Sequence, residues 1–348
     1  MTLHIAEMLR KQKKHISFHT PGHKRAGADI TELSYSDCLA SPTGVLARAE
    51  ADIAGILGAA RSFLLTDGST SGVFSMLYAL RAAGKKSLAV PVFSHPSVWH
   101  ACEVLGLKTV PISQKTAFGI PVQPTETAVA AALEGADALL LTSPDYYGNF
   151  PDLTAMRALC KWADKPLLLD GAHGSHLHGD PNLYAGVYAD LWVDGVHKSL
   201  PAMTQGAVVS AKSEEWGKLL HEGVLRFRTT SPSYPIMASV EYAVKYPRSE
   251  AVERASVAFK RRHGCLENAD WSKILVPFGE ECDRAQEYLE AHGVYPEFND
   301  GNYLMFYLSP CTKARELKKL ARALEKLSRG TVGEHAPAGA IPMYSEDK

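Results

Sequence analysis

The chain has 348 residues, 46% of them hydrophobic and 22% charged, with a formal net charge of -1. This is globular composition with no global field to draw in nucleic acid or a membrane surface, so an anion site would have to be built locally. No apolar run approaches the roughly 20 residues that a bilayer-spanning helix needs. The opening MTLHIAEMLRKQKKH places its basic residues after the apolar ones, the reverse of a signal peptide, and reads as an amphipathic helix. The six cysteines (Cys38, Cys102, Cys160, Cys265, Cys282, Cys311) form no CxxC pair. They are expected to be reduced thiols of a cytoplasmic protein.

Residues 1–34 are polar and are expected to form an arm rather than core. From about 60 to 210, short apolar runs alternate with helical stretches. Strands are predicted at Ser62–Thr66, Ser87–Pro91, Lys108–Ile112, Ala136–Thr142, Pro166–Asp170, Leu191–Val193 and Ala207–Ser210. Helices are predicted at Ser71–Ala83, Ser97–Leu105, Thr125–Glu134 and Asp152–Trp162. This alternation implies an α/β fold with a mostly parallel sheet covered on both faces. The last two strands have no helix between them, which implies a mixed sheet. The expected organisation is an arm (1–34), a large domain (35–235) and a small α+β domain (236–348). The small domain is expected to hold helices at Ser239–Arg262 and Thr312–Ser328 around a strand at Tyr303–Leu308. The ending EHAPAGAIPMYSEDK reads as irregular.

Three segments carry chemistry. Asp67-Gly68-Ser69-Thr70-Ser71-Gly72 lies between a predicted strand and a predicted helix. Its small residues allow backbone N–H groups to approach an anion at a helix N-terminus, although an ordinary helix cap reads the same way. Leu167-Leu168-Leu169-Asp170 ends a buried strand in a carboxylate, which could pair with a pyridinium nitrogen or serve a structural ion pair. His197-Lys198-Ser199 follows another apolar strand. A desolvated lysine there could form a Schiff base, whereas an isolated lysine is usually a surface residue. A fourth segment, Phe93-Ser94-His95-Pro96, offers an imidazole that could stack on a flat ring or simply cap a helix.

In this order and separation, these segments resemble the bacterial ornithine/lysine/arginine decarboxylase family, pyridoxal phosphate (PLP) enzymes of the aspartate aminotransferase fold. The resemblance covers about residues 15–240. It adds Phe18-His19-Thr20-Pro21-Gly22-His23-Lys24, Ser143-Pro144-Asp145-Tyr146-Tyr147-Gly148, Asp170-Gly171-Ala172-His173-Gly174 and Thr229-Thr230-Ser231-Pro232-Ser233-Tyr234. It implies a fold type I PLP enzyme with the cofactor held by Lys198 as a Schiff base. Asp170 would pair with the ring nitrogen, Ala172 would pack on one ring face and His95 on the other. Ser69, Thr70 and His197 would hold the phosphate, and Ser71 and His173 join the expected cofactor-binding residues. Asp145 and His23 are the expected substrate residues. The site would lie at a homodimer interface, with Ser231 or Ser233 reaching the neighbouring subunit's phosphate.

The implied reaction is decarboxylation of lysine, ornithine or arginine through a quinonoid intermediate. Aldol cleavage, elimination, transamination and a non-catalytic partner subunit remain as alternatives on the same residues. A metal reading of His173, His176 and His178 is weaker, because no Cys or Glu joins them at a usual ligand spacing. Three positions depart from the family pattern: Gly171 stands where Glu is usual, Asp145 where Thr is usual, and Asp194 where Ser or Thr is usual. Asp194 is expected near the phosphate, where a second anion would be costly. The chain is also shorter than typical members.

Overall fold

The computed structural model describes residues 2–11, 16–24 and 27–330; the ending EHAPAGAIPMYSEDK lies outside them. The chain divides into two compact units, residues 1–248 and 249–348.

The first unit runs α1 (His4–Lys11), α2 (Val45–Leu57), β1 (Arg61–Leu65), α3 (Ser69–Ala82), β2 (Ser87–Pro91), α4 (Pro96–Leu105) and β3 (Lys108–Ile112). A small hairpin follows, β4 (Thr116–Ala117) and β5 (Ile120–Pro121), then α5 (Glu126–Glu134), β6 (Leu139–Thr142), α6 (Leu153–Trp162) and β7 (Leu167–Asp170). The unit closes with α7 (Ala185–Tyr188), β8 (Leu191–Asp194), α8 (Val196–Ser199), β9 (Ala207–Ala211), α9 (Glu214–Phe227) and α10 (Tyr234–Val244). Seven strands form one sheet in the order β1-β9-β8-β7-β6-β2-β3. Only β9 runs against the rest, pairing antiparallel with both β1 and β8. The mixed, mostly parallel sheet inferred from the sequence is therefore the one observed.

Alternation along each strand separates two cores. Leu64, Leu139, Leu141, Leu167, Leu169 and Trp192 pack on one face with α1, α2, α5, α6 and α10. Leu65, Leu140, Leu168 and Val193 pack on the other with α3, α4 and α9. Strands covered on both faces read as continuous apolar runs, which is why their positions were visible in the sequence.

Three expectations are corrected. The opening segment is not merely an arm: Ile5 and Ile30 are buried in the first core. The backbone amides of His4 and Ile5 donate to the fully buried Glu241 carboxylate at 2.6 and 2.9 Å. The helix expected over Ser239–Arg262 is two helices, α10 and α11 (Glu250–Arg262), broken around Pro247, which has no amide N–H to continue the ladder. Met237, Val240 and Ala243 of α10 lie in the first core, so the first unit runs through this helix to residue 248 rather than ending at 235.

The second unit contains α11, β10 (Lys273–Pro277), α12 (Cys282–Ala291), β11 (Phe298–Asn299), β12 (Tyr303–Tyr307) and α13 (Ala314–Gly330). Its antiparallel sheet has the order β10-β12-β11, with helices packed around Ile274, Leu304 and Phe306. This is the expected α+β texture. No helix among the described residues is long and apolar enough to cross a membrane.

Candidate active site

A cavity of about 270 Å³ opens in the first unit at the C-terminal ends of the parallel strands. Ligands bind there in open α/β sheets, because the loops leaving those ends converge. Ser69, His95, Asp145, Asp170, Ala172, His173 and Lys198 all line it. They come from the ends of β1, β2, β6, β7 and β8, with β7 and the loop after it supplying three of the seven.

At the end of β1 the chain turns sharply into α3. Gly68 has φ 86°, a left-handed conformation that favours glycine, and its N–H donates to Gln205 O at 2.9 Å. No side chain caps the helix, so its first-turn amides are left for another acceptor. Ser69 lines the cavity, and Thr70 is exposed at the same helix end. The Ser71 hydroxyl is already engaged, donating to Asp67 Oδ1 at 2.9 Å and lying 3.0 Å from Gly68 O. Asp67 was given no role of its own in the sequence reading. Its Oδ2 accepts from the Thr229 amide at 2.9 Å, which ties the TTSPSY segment to this turn.

His95 caps α4, its Nδ1 accepting from the Ser97 amide at 3.2 Å, with Pro96 at the first helical position. Burial pushes its pKa down; Asp170 pulls it up, and Lys198 adds to the lowering. A neutral imidazole with its proton on Nε2 fits that cap. The cap and the cavity-lining role are thus both realised by the one ring.

Asp170 is buried at the end of an all-buried strand, and its Oδ1 accepts from the Ala172 amide at 3.1 Å. Three residues after Asp170, His173 Nε2 lies 3.2 Å from Lys198 Nζ. The Tyr146 ring stands edge-on to the imidazole, with ring centroids 5.2 Å apart and planes at 83°. Of the three histidines read as a weak metal cluster, His173 lies against the lysine while His178 Nδ1 bonds Ser175 O at 2.9 Å, and no metal-holding group of His, Cys, Asp or Glu occurs among the described residues.

Asp145 lines the cavity with both oxygens engaged. Oδ1 accepts from the amides of Tyr147 and Asn149, each at 2.9 Å, and Oδ2 accepts from Gln123 Nε2 at 2.8 Å and Asn149 Nδ2 at 3.2 Å. Burial raises its pKa, and these hydrogen bonds work against the rise.

Six expected residues do not line the cavity, Thr70 at the exposed α3 terminus among them. His23 is exposed and pairs with Asp29 at 3.1 Å. The His197 Nδ1 bonds Gly206 O at 3.0 Å. Ser231 is exposed, Ser233 caps α10 by accepting from the Ile236 amide at 3.4 Å, and Ser71 is committed to the turn. Phe93, Gln114, Gln123, Thr142 and Tyr146 do line it, without a role assigned from sequence. Only their place at strand ends and in the hairpin after β3 could have signalled them.

Asp194 is not beside the phosphate turn. Strand pleating puts Val193 against α3 and sends Asp194 to the opposite face. There Oδ2 accepts from Tyr184 Oη at 2.8 Å and Trp192 Nε1 at 3.1 Å, and full burial raises its pKa to about 7. Gly171 is fixed by close approach, since a Cβ there would lie 2.9 Å from Val193 O. The side chain usual in the family does not fit this backbone.

The residues fit the cofactor expected from the sequence. Two buried hydroxyls lining the cavity, Ser94 Oγ and Thr142 Oγ1, have no hydrogen-bond partner among the described residues. Buried polar groups of this kind call for a ligand or water. The uncapped α3 terminus suits a phosphate, Asp170 suits a protonated ring nitrogen, and Lys198 beside an imidazole suits a carbonyl carbon.

Fold and site together define the class of PLP-dependent enzymes of fold type I. The chain matches the Orn/Lys/Arg decarboxylase major domain over residues 7–263, and it belongs to that family. It is 29% identical to the uncharacterized protein YaaO of Bacillus subtilis (strain 168), covering 89% of this chain and 74% of that protein. It is 28% identical to the arginine decarboxylase of the same organism, covering 75% of this chain and 59% of that enzyme. The crystal structure of the Francisella novicida lysine decarboxylase LdcF superposes with TM-score 0.81 at 18% identity, covering 94% of this chain and 60% of that one. The chain thus spans about six tenths of the length of these two decarboxylases.

Proposed function

We propose that this protein decarboxylates a basic amino acid with PLP bound at Lys198. The observation that carries the reading is the Lys198–His173 contact of 3.2 Å in a cavity that also presents the buried Asp170. When bound, the cofactor supplies an electron sink for the bond broken at the α-carbon. Asp170 holds the proton on the ring nitrogen that makes the sink effective. His173 can take a proton from Lys198 Nζ and return it, leaving the amine in the uncharged form that attacks a carbonyl. His95 Nδ1 is spent on its cap, so this ring offers the cavity a flat face and one N–H.

Decarboxylation is favoured over transamination by the absence of an arginine among the described residues that line the cavity. A guanidinium there would hold the α-carboxylate in its charged form. Arg228, near in sequence, is buried elsewhere: it donates to Leu64 O at 3.1 Å and Leu39 O at 2.7 Å and lies 3.9 Å from Glu50. Arg226 is half exposed and donates to Glu222 O.

The working unit in this reading is a homodimer in the cytoplasm. Ile16 and Phe18 are 84% and 91% exposed in the FHTPGHK region, an apolar pair that a second copy would cover. In this reading Ser231 and Ser233 approach the phosphate of that copy. The six cysteines carry free thiols, which suits a reducing compartment.

The deciding assay incubates the purified protein and PLP with lysine, ornithine or arginine and measures carbon dioxide and amine. Amine from one of them is the expected result. A keto acid in its place would move the assignment to transamination, and no product from any of the three would remove the basic-substrate reading.

A further inference from the structure

A basic substrate carries a second cation at the end of its side chain, and Asp145 is the cavity-lining carboxylate expected from the sequence to meet it. Its lone pairs, however, are taken. An ionised carboxylate offers about four acceptor positions, and Asp145 already accepts from Tyr147 N, Asn149 N, Gln123 Nε2 and Asn149 Nδ2. A substrate nitrogen would have to break one of these bonds to reach it.

Gln123 lines the same cavity and donates to this carboxylate. A carboxylate only accepts, so the end of Gln123 that faces Asp145 must be the NH2 group. The amide orientation is thereby fixed, and Oε1 remains as acceptor. No hydrogen bond to that oxygen occurs among the described residues, and it is not a buried orphan. The neighbouring Gln114 differs, because both of its ends are spent. Its Oε1 accepts from Phe93 N at 3.3 Å and its Nε2 donates to Val122 O at 3.0 Å, which secures the base of the β4–β5 hairpin.

We propose that Gln123 Oε1 is the acceptor that recognises the distal N–H group of the substrate, and that Asp145 is a positioning residue that orients and polarises it. The inference rests on the basic-substrate reading above. Asp145 in place of the usual family residue then has a purpose that does not require direct contact: its negative charge at the NH2 end of the amide strengthens the carbonyl dipole at the other end. The loop after β6 is held by the same carboxylate, so one residue sets both the wall and its acceptor.

The test is a calorimetric titration of the PLP-loaded enzyme with an α,ω-diamine and with the alkyl monoamine of the same carbon count. Wild type is expected to prefer the diamine. Gln123→Leu is expected to weaken diamine binding roughly tenfold, the scale of one hydrogen bond to a charged group, with monoamine binding unchanged as the control for folding. Asp145→Asn should lower the preference in wild type and have little further effect in the Gln123→Leu background. An unchanged diamine preference in Gln123→Leu would overturn the proposal, and so would an enzyme that binds neither amine. Equal effects of Asp145→Asn in both backgrounds would overturn it too, since they would mean that Asp145 meets the substrate directly. Carbon dioxide assays on wild type judge the basic-substrate reading separately. Release from neutral amino acids alone would sink that reading, while the amine preference still reports on Gln123.

Discussion

In the proposed reaction, Lys198, His173 and Asp170 divide the work between a base, its proton partner and a fixed anion, and each can be tested alone. Replacing His173 by Gln keeps a polar group near Lys198 but removes the exchangeable proton. The expected loss in kcat is on the order of 10²-fold, the scale of general acid–base catalysis. Asp170→Asn removes the charge opposite the ring nitrogen while keeping the shape. Carbon dioxide release should fall by roughly 10²-fold or more, with cofactor still bound by absorption. Activity near wild type in either variant would contradict the assigned role. The sequence made Lys198 and Asp170 legible because each follows an apolar strand. It did not show what Asp145 does, since its partners include Gln123, 22 residues upstream. Asp194 was misplaced because position along a strand says how far a residue has travelled but not, without the pleat, which face it meets.

Among the elements, α3 and α9 show how packing overrides local preference. α9 carries Gly217 and Gly223 in its interior, which lowers its helix propensity and hid it from the sequence reading. The structure explains the second of these: a Cβ at Gly223 would stand 2.5 Å from the backbone oxygen of Ser75 in α3. Gly223→Ala should therefore destabilise the fold by about 1–3 kcal/mol, measured by urea unfolding, and disturb α3, whose first turn faces the cavity. A neutral result would mean that the helices separate at little cost. The strand β10 was missed for a different reason. It opens on Lys273, a buried lysine 3.4 Å from the equally buried Asp270, and ends on Pro277. Neither residue type announces a strand. The central parallel strands were found to within a few residues because β6, β7 and β8 are buried, nearly unbroken apolar runs, and the unbroken helix expected over Ser239–Arg262 failed at the one residue, Pro247, that forbids it.

At the scale of the whole molecule, two buried carboxyls make stability depend on pH. Asp194 and Glu50 are each raised to about 7, chiefly by burial, from ordinary values near 4. Between about pH 4 and 7 the folded chain therefore binds more protons than the unfolded chain. Stability from these groups is fully present below pH 4 and is lost as pH rises through 7. The urea midpoint should fall between pH 5 and pH 8, by roughly 1 kcal/mol or more in free energy. Asp194→Asn, whose amide oxygen can still accept from Tyr184 and Trp192, should flatten that dependence. A slope unchanged by the substitution would place the titration elsewhere.

The proposed chemistry requires a covalent bond between PLP and one lysine, Lys198. Incubation with PLP, reduction with borohydride and peptide mapping should find a single modified site, at Lys198, that disappears in Lys198→Ala. A reduced adduct on another lysine, or none with cofactor in excess, would contradict the assignment of this cavity as the active site.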